Sequence, residues 1–127
     1  MKKMILLFSH KLSETQILEA KKSLGVDSFI YLPTHLQNIW SNISPIAPSI
    51  TTLIDPIKKF IVENSSQGDI ILIQGDFGVS YNLVNFALKN RYIPVYATTQ
   101  RLVTQYEKDG QIIKKSTFEF GRFRKYE

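Results

Sequence analysis

The chain has no cysteine, which excludes disulfides, thiolate metal sites and cysteine nucleophiles. Its two histidines stand twenty-five residues apart and its carboxylates are not clustered, so no dedicated metal centre is expected and no cofactor is implied. Glycine-rich phosphate loops are missing: there is neither a Walker A pattern nor a Gly-x-Gly-x-x-Gly. Asp76-Phe77-Gly78 spells the metal-binding triplet of kinases, but 127 residues without a His-Arg-Asp loop cannot make a kinase. No apolar stretch is long enough to span a bilayer. Met1-Lys2-Lys3 and the five apolar residues after it resemble the opening of a signal peptide, but Ser9-His10-Lys11 interrupts them too early, so a cytoplasmic protein is expected. Low-complexity tracts and linkers are absent as well, and the length suits a single domain.

What is present is an alternation of short apolar runs and amphipathic stretches. It predicts strands at 3–9, 28–32, 69–74 and 93–97, and helices at 13–24, 35–41, 50–65 and 79–90. Such βαβ units imply an α/β fold, a Rossmann-like and mostly parallel sheet flanked by helices over residues 1–97. Local signals agree. Ser13 with Gln16 resembles a capping box, Gly25 follows the first helix as a C′ residue, and Asn64 to Gly68 closes the third helical segment. Residues 98–127 form a second pattern, with extended stretches at 101–108 and 111–118 about Asp109-Gly110, the signal of a type I′ hairpin. Pro45 and Pro48 make the segment Ser41 to Ser49 a loop over one end of the sheet.

Net charge is +5, and five of the sixteen basic residues fall in the last fourteen positions, from Lys114-Lys115 to Arg122-Phe123-Arg124-Lys125. A basic tail of this kind either attracts an anion or is a solvated end.

Ligands of open α/β sheets bind beyond the carboxyl ends of the strands, where the strand order reverses. In a 2-1-3-4 order that point brings together Ser9-His10-Lys11 after the first strand and Gln74-Gly75-Asp76-Phe77-Gly78, with Ser80, after the third. Thr98-Thr99-Gln100-Arg101 would flank them. Hydroxyls, an imidazole, helix-terminal N–H groups and a guanidinium suit a phosphodiester better than an apolar ligand. Each has a structural alternative that stays open. His10 can be a strand-end residue, Asp76 a helix N-cap, Gly75 and Gly78 backbone devices, Thr98 and Thr99 strand formers. Trp40, the only tryptophan, is expected in the core or an interface, with stacking on a base as the alternative.

Taken in order, Phe8-Ser9-His10-Lys11-Leu12, Trp40-Ser41-Asn42-Ile43, Ile73-Gln74-Gly75-Asp76-Phe77-Gly78, Tyr96-Ala97-Thr98-Thr99-Gln100-Arg101 and Arg122-Phe123-Arg124-Lys125-Tyr126 resemble a small stand-alone accessory family of type III CRISPR systems. The likeness runs along essentially the whole chain. That family is related to the CRISPR-associated Rossmann-fold (CARF) domain. The resemblance implies a homodimeric ring nuclease that opens a cyclic oligoadenylate messenger, cyclic tetra-adenylate above all, and so switches off antiviral effectors. The ribose 2′-OH would attack its own 3′-phosphate without metal. His10 is then expected as general acid or base and Arg101 as a catalytic stabiliser of the phosphoryl oxygens. Ser9, Lys11, Gln74, Gly75, Asp76, Phe77, Gly78, Ser80, Thr98 and Thr99 would hold ribose and phosphate, and Arg122, Arg124 and Lys125 would draw in the anion. The competing readings are a module that captures the messenger without cutting it, and a general nucleic-acid binder working through the basic tail.

Overall fold

The structure, a computed structural model, describes residues 1–127. In chain order the elements are β1 (Lys3–Phe8), α1 (Glu14–Leu24), β2 (Ser28–Tyr31), α2 (Thr34–Ser41), α3 (Asp55–Asn64), β3 (Ile70–Gln74), α4 (Phe77–Lys89), β4 (Ile93–Lys108) and β5 (Gln111–Lys125). They form one α/β sheet in the order β2-β1-β3-β4-β5, parallel up to β4 and antiparallel between β4 and β5. The expected 2-1-3-4 order is therefore present, and it reverses between β1 and β3.

The central strands are apolar at nearly every position because both of their faces are covered. Met4, Leu6, Ile70 and Leu72 point to one side, where α1 contributes Ala20 and β5 contributes Phe123. Ile5, Leu7, Ile71 and Ile73 point to the other, packed by Leu36 and Trp40 of α2, Ile57 and Ile61 of α3, and Val79, Leu83 and Ala87 of α4. One helix thus covers one face and three cover the other. No helix is long and apolar enough to cross a membrane.

Helix ends follow local chemistry. Ser13 and Gln16 form the expected capping box, with Gln16 N donating to Ser13 Oγ at 3.2 Å and Ser13 N to Gln16 Oε1 at 2.9 Å. Gly25 closes α1 at φ 67°. α3 starts at Asp55 rather than near residue 50, since 51–54 only turn and Pro56 occupies the first helical turn. α4 opens at Phe77, two residues before the expected 79, because Asp76 is its N-cap: the carboxylate accepts from Val79 N at 3.0 Å. At the amino edge of the sheet Asp69, buried, accepts from Lys3 N at 3.0 Å and from Ser66 N at 2.8 Å.

The C-terminal segment differs most from expectation. β4 does not end at Ala97 but runs unbroken to Lys108, and β5 pairs with it from Gln111 to Lys125. Only a bulge interrupts the register, between Ala97 and Thr99. There the Thr98 hydroxyl accepts from Arg122 N at 3.0 Å and donates to Arg122 O at 3.1 Å, and it lies so close to Gly121 that a Cβ there would be 2.7 Å away. Asp109 and Gly110 both take positive φ, 54° and 76°, as the type I′ turn requires. Arg122, Arg124 and Lys125 are consequently members of a paired strand, opposite Thr98, Tyr96 and Val95, and not a loose basic tail. Beyond the bulge the ribbon leaves the body of the sheet, exposed at nearly every position.

Candidate functional site: two clefts at the carboxyl edge

β1 and β3 run side by side in register, Phe8 against Gln74, so the residues that succeed each strand emerge together. The crevice expected between them is not empty. The last turn of α2 sits against both strand ends. Trp40, only 3% exposed, lies directly against Gly75, where a Cβ would stand 2.6 Å from the indole Cζ2. Its neighbour Ser41 donates to Ser9 Oγ at 3.4 Å, and Gln37 Nε2 donates to both Phe8 O and Ser41 Oγ at 3.0 Å. Gly75 is glycine because the indole already fills the space a side chain would take. The carboxyl edge is thereby divided into two clefts.

The first, about 320 Å³, is lined by Phe8, Ser9, His10 and Lys11 from the β1 end, by Tyr31 and Leu32 at the end of β2, and by Thr34, Gln37 and Asn38 of α2. His10 is exposed and meets the Phe8 ring edge-on at 5.3 Å, with no hydrogen-bond partner for its imidazole. The second, about 380 Å³, is lined by Gln74, Gly75, Phe77, Ser80, Tyr81, Val84 and Tyr126. Here α4 begins, and its first-turn amides at Phe77 and Gly78 have no helical acceptor. The Ser80 hydroxyl and the Trp40 indole N–H are both buried without a hydrogen-bond partner.

The far wall of the second cleft comes from the end of the chain. Tyr126 donates its hydroxyl to Ile73 O at 2.6 Å and packs on Tyr96 at 4.8 Å between ring centres. Arg124 reaches the Tyr96 hydroxyl at 3.1 Å, with its guanidinium 5.7 Å from that ring's centre. Burial, with a smaller contribution from the neighbouring Tyr96, raises the Tyr126 phenol above its ordinary 10.0.

The sequence-derived site residues thus separate into three groups. Ser9, His10 and Lys11 share the first cleft, while Gln74, Gly75, Phe77 and Ser80 share the second, with Asp76 and Gly78 in the turn beneath it. Gln74 is also structural. Its side chain accepts from Ala97 N at 3.0 Å and donates to Ala97 O at 3.4 Å, continuing the β3–β4 pairing beyond Leu72 and Val95. Thr98, Thr99, Arg101 and Arg122 belong to the ribbon. Arg101 stands four residues past Ala97, about 13 Å further along an extended strand, and grips Ser116 Oγ through Nε at 3.2 Å and Nη2 at 2.9 Å. It does not join His10 within one chain.

Two aromatic members of the second cleft, Tyr81 and Tyr126, were not singled out by sequence. Tyr81 had a readable signal, since it lies one helical turn after Phe77. Tyr126 had none, because only the pairing of β5 carries it back to β3. No three His, Asp or Glu side chains gather as metal ligands would.

The chain belongs to the family described as the uncharacterized protein MJ1673 family, whose model matches residues 2–124. It is 51% identical over 126 residues to the uncharacterized protein MJ1673 of Methanocaldococcus jannaschii, an alignment covering 99% of this chain and 98% of that one. No solved structure matches.

Proposed function

For this member of the MJ1673 family we propose that the carboxyl edge of a Rossmann-like, CARF-related sheet binds a cyclic oligoadenylate, cyclic tetra-adenylate foremost, and opens it in the cytoplasm, ending type III CRISPR antiviral signalling. The motif resemblance supplies the substrate. One observation supports the placing of the reaction: β1 and β3 end in register at the reversal of strand order, setting Ser9-His10 beside the Gly75-to-Gly78 turn. The 2′-oxygen attacks the adjacent phosphorus while the bond to the 5′-oxygen breaks. The 2′-OH proton leaves to a base and the departing 5′-oxygen takes one up, giving a linear product with a 2′,3′-cyclic phosphate. His10 serves as the general acid or base of this exchange. In a homodimer a second copy repeats both clefts about a two-fold axis, matching a ring of repeated nucleotides.

A second reading is favoured by the bare His10 imidazole, which no hydrogen bond orients. Catalytic imidazoles are ordinarily aimed by a partner, so the clefts would then capture the messenger without cutting it. Incubation with cyclic tetra-adenylate in EDTA, with products identified by mass spectrometry, separates the two. Multiple-turnover formation of cyclic-phosphate ends supports the nuclease; stoichiometric retention of intact ring supports capture. Replacement His10→Ala is expected to slow single-turnover opening by about 10²-fold or more, and an unchanged rate removes His10 from the reaction.

A further inference from the structure

Phosphate chemistry leaves the α4-side cleft largely unexplained. Its walls are the rings of Phe77, Tyr81 and Tyr126 with Val84, and it is not a polar anion site. Phe77 is 96% exposed and Tyr81 73% exposed, at i and i+4 on one face of α4 at the mouth of the cleft. Two large rings held in water beside a cavity form the kind of exposed apolar feature that marks a binding surface. Within the same cleft the buried Ser80 hydroxyl has no partner, and the buried Trp40 indole N–H, also unpaired, lies against Gly75 on its border. Buried donors of this kind are costly unless a ligand satisfies them. Apolar walls, a few convergent polar groups and about 380 Å³ describe a site with room for a planar heteroaromatic ring and part of its sugar.

We propose that this cleft is a nucleobase pocket: a purine stacks against the aromatic wall of Phe77, Tyr81 and Tyr126, its ring edge meets the Ser80 hydroxyl, and the attached ribose-phosphate crosses exposed Gly75 toward the His10 cleft. The proposal rests on the cyclic oligoadenylate reading and deepens it, since it assigns the base to one cleft and the scissile phosphodiester to the other. Gly75 is the saddle between them, exposed on its outer side and backed by the Trp40 indole on the side a Cβ would take.

The test is calorimetric titration of the full chain with cyclic tetra-adenylate and, separately, with adenosine 5′-monophosphate. It uses the wild type, Phe77→Ala, Tyr81→Ala and, as a control outside both clefts, His35→Ala. Phe77 and Tyr81 are exposed, so neither replacement removes core packing, and unchanged melting temperatures verify it. Loss of one stacked ring is expected to weaken binding about tenfold, with His35→Ala unchanged. If Phe77→Ala and Tyr81→Ala both bind the ring as tightly as the wild type, the pocket is overturned while the ring reading stands. If the wild type binds the monophosphate in a Tyr81-dependent way but ignores the ring, the pocket stands and the ring reading falls. Binding of neither ligand overturns both.

Discussion

The cleft after β1 and the cleft after β3 open at the ends of adjacent strands, yet the first sets Ser9, His10, Lys11, Thr34 and Gln37 beside Phe8, Tyr31 and Leu32, and the second presents Phe77, Tyr81, Val84 and Tyr126 with Gln74 and Ser80 as its polar side chains. The connection leaving each strand makes the difference. After β1 the chain runs through five residues before α1 begins at Glu14; Leu12 anchors them in the core, while Ser9, His10, Lys11 and Ser13 keep polar side chains in solvent. After β3 only Gly75 and Asp76 intervene before α4, so the cleft takes the side-chain chemistry of a helix face and of a C-terminal tyrosine folded back beside it. Equivalent positions at a sheet edge therefore acquire different chemistry from their connections. The wall between them, Trp40 against Gly75, belongs to neither strand but to the last turn of α2.

Breaking that wall should have the largest effect. Gly75→Ala puts a methyl group 2.6 Å from the buried indole of Trp40, and overpacking of this kind costs about 1–3 kcal/mol. Urea unfolding should show the loss, together with an altered tryptophan emission. A variant as stable as the wild type would mean that the indole yields freely and that the wall is soft. A smaller loss, about 1 kcal/mol, is expected for Asp76→Ala, which removes the acceptor of Val79 N and frays the first turn of α4. The loss should be confined to the aromatic cleft, so hydrogen exchange should quicken in the first turn of α4 while the amides after β1 keep their rates.

The smallest effect is a pH dependence. Burial favours the protonated Tyr126 phenol in the folded state, raising its titration above the ordinary 10.0. The folded protein then holds a proton that the unfolded chain releases, so this contribution is complete below pH 10.0 and is lost as pH rises through the folded value. Melting temperatures measured through the alkaline range should fall more steeply for the wild type than for Tyr126→Phe. Parallel curves would show that the phenol's burial carries no stability.

The body of the fold was legible in sequence because burial writes a period into it. Ile70 to Ile73 and Met4 to Leu7 read as strands covered on both faces, while Ser13 and Gly25 marked the ends of α1 and Asp109-Gly110 the hairpin turn through specific side-chain and backbone chemistry. The ribbon was half legible. Thr98-Thr99-Gln100-Arg101 is extended yet exposed, and a strand solvated on both faces has no apolar alternation to reveal it. For the same reason Arg122 to Lys125 looked like a free tail: charge reports exposure, and a paired edge strand is as exposed as a loose end. Arg101 was expected to flank the crevice because the fourth strand was read as ending at Ala97. The position of Trp40 against Gly75 is a tertiary contact between residues thirty-five apart, for which no local pattern exists.

Division of labour between the clefts is the central claim, and its most direct test compares His10→Ala with Tyr81→Ala on cyclic tetra-adenylate in EDTA, measuring affinity and single-turnover opening for each. The account predicts that His10→Ala binds the ring close to wild-type strength but opens it slowly. Tyr81→Ala should bind it weakly but, once saturated, open it at nearly the wild-type rate. Equal losses of affinity and of rate in both variants would contradict it.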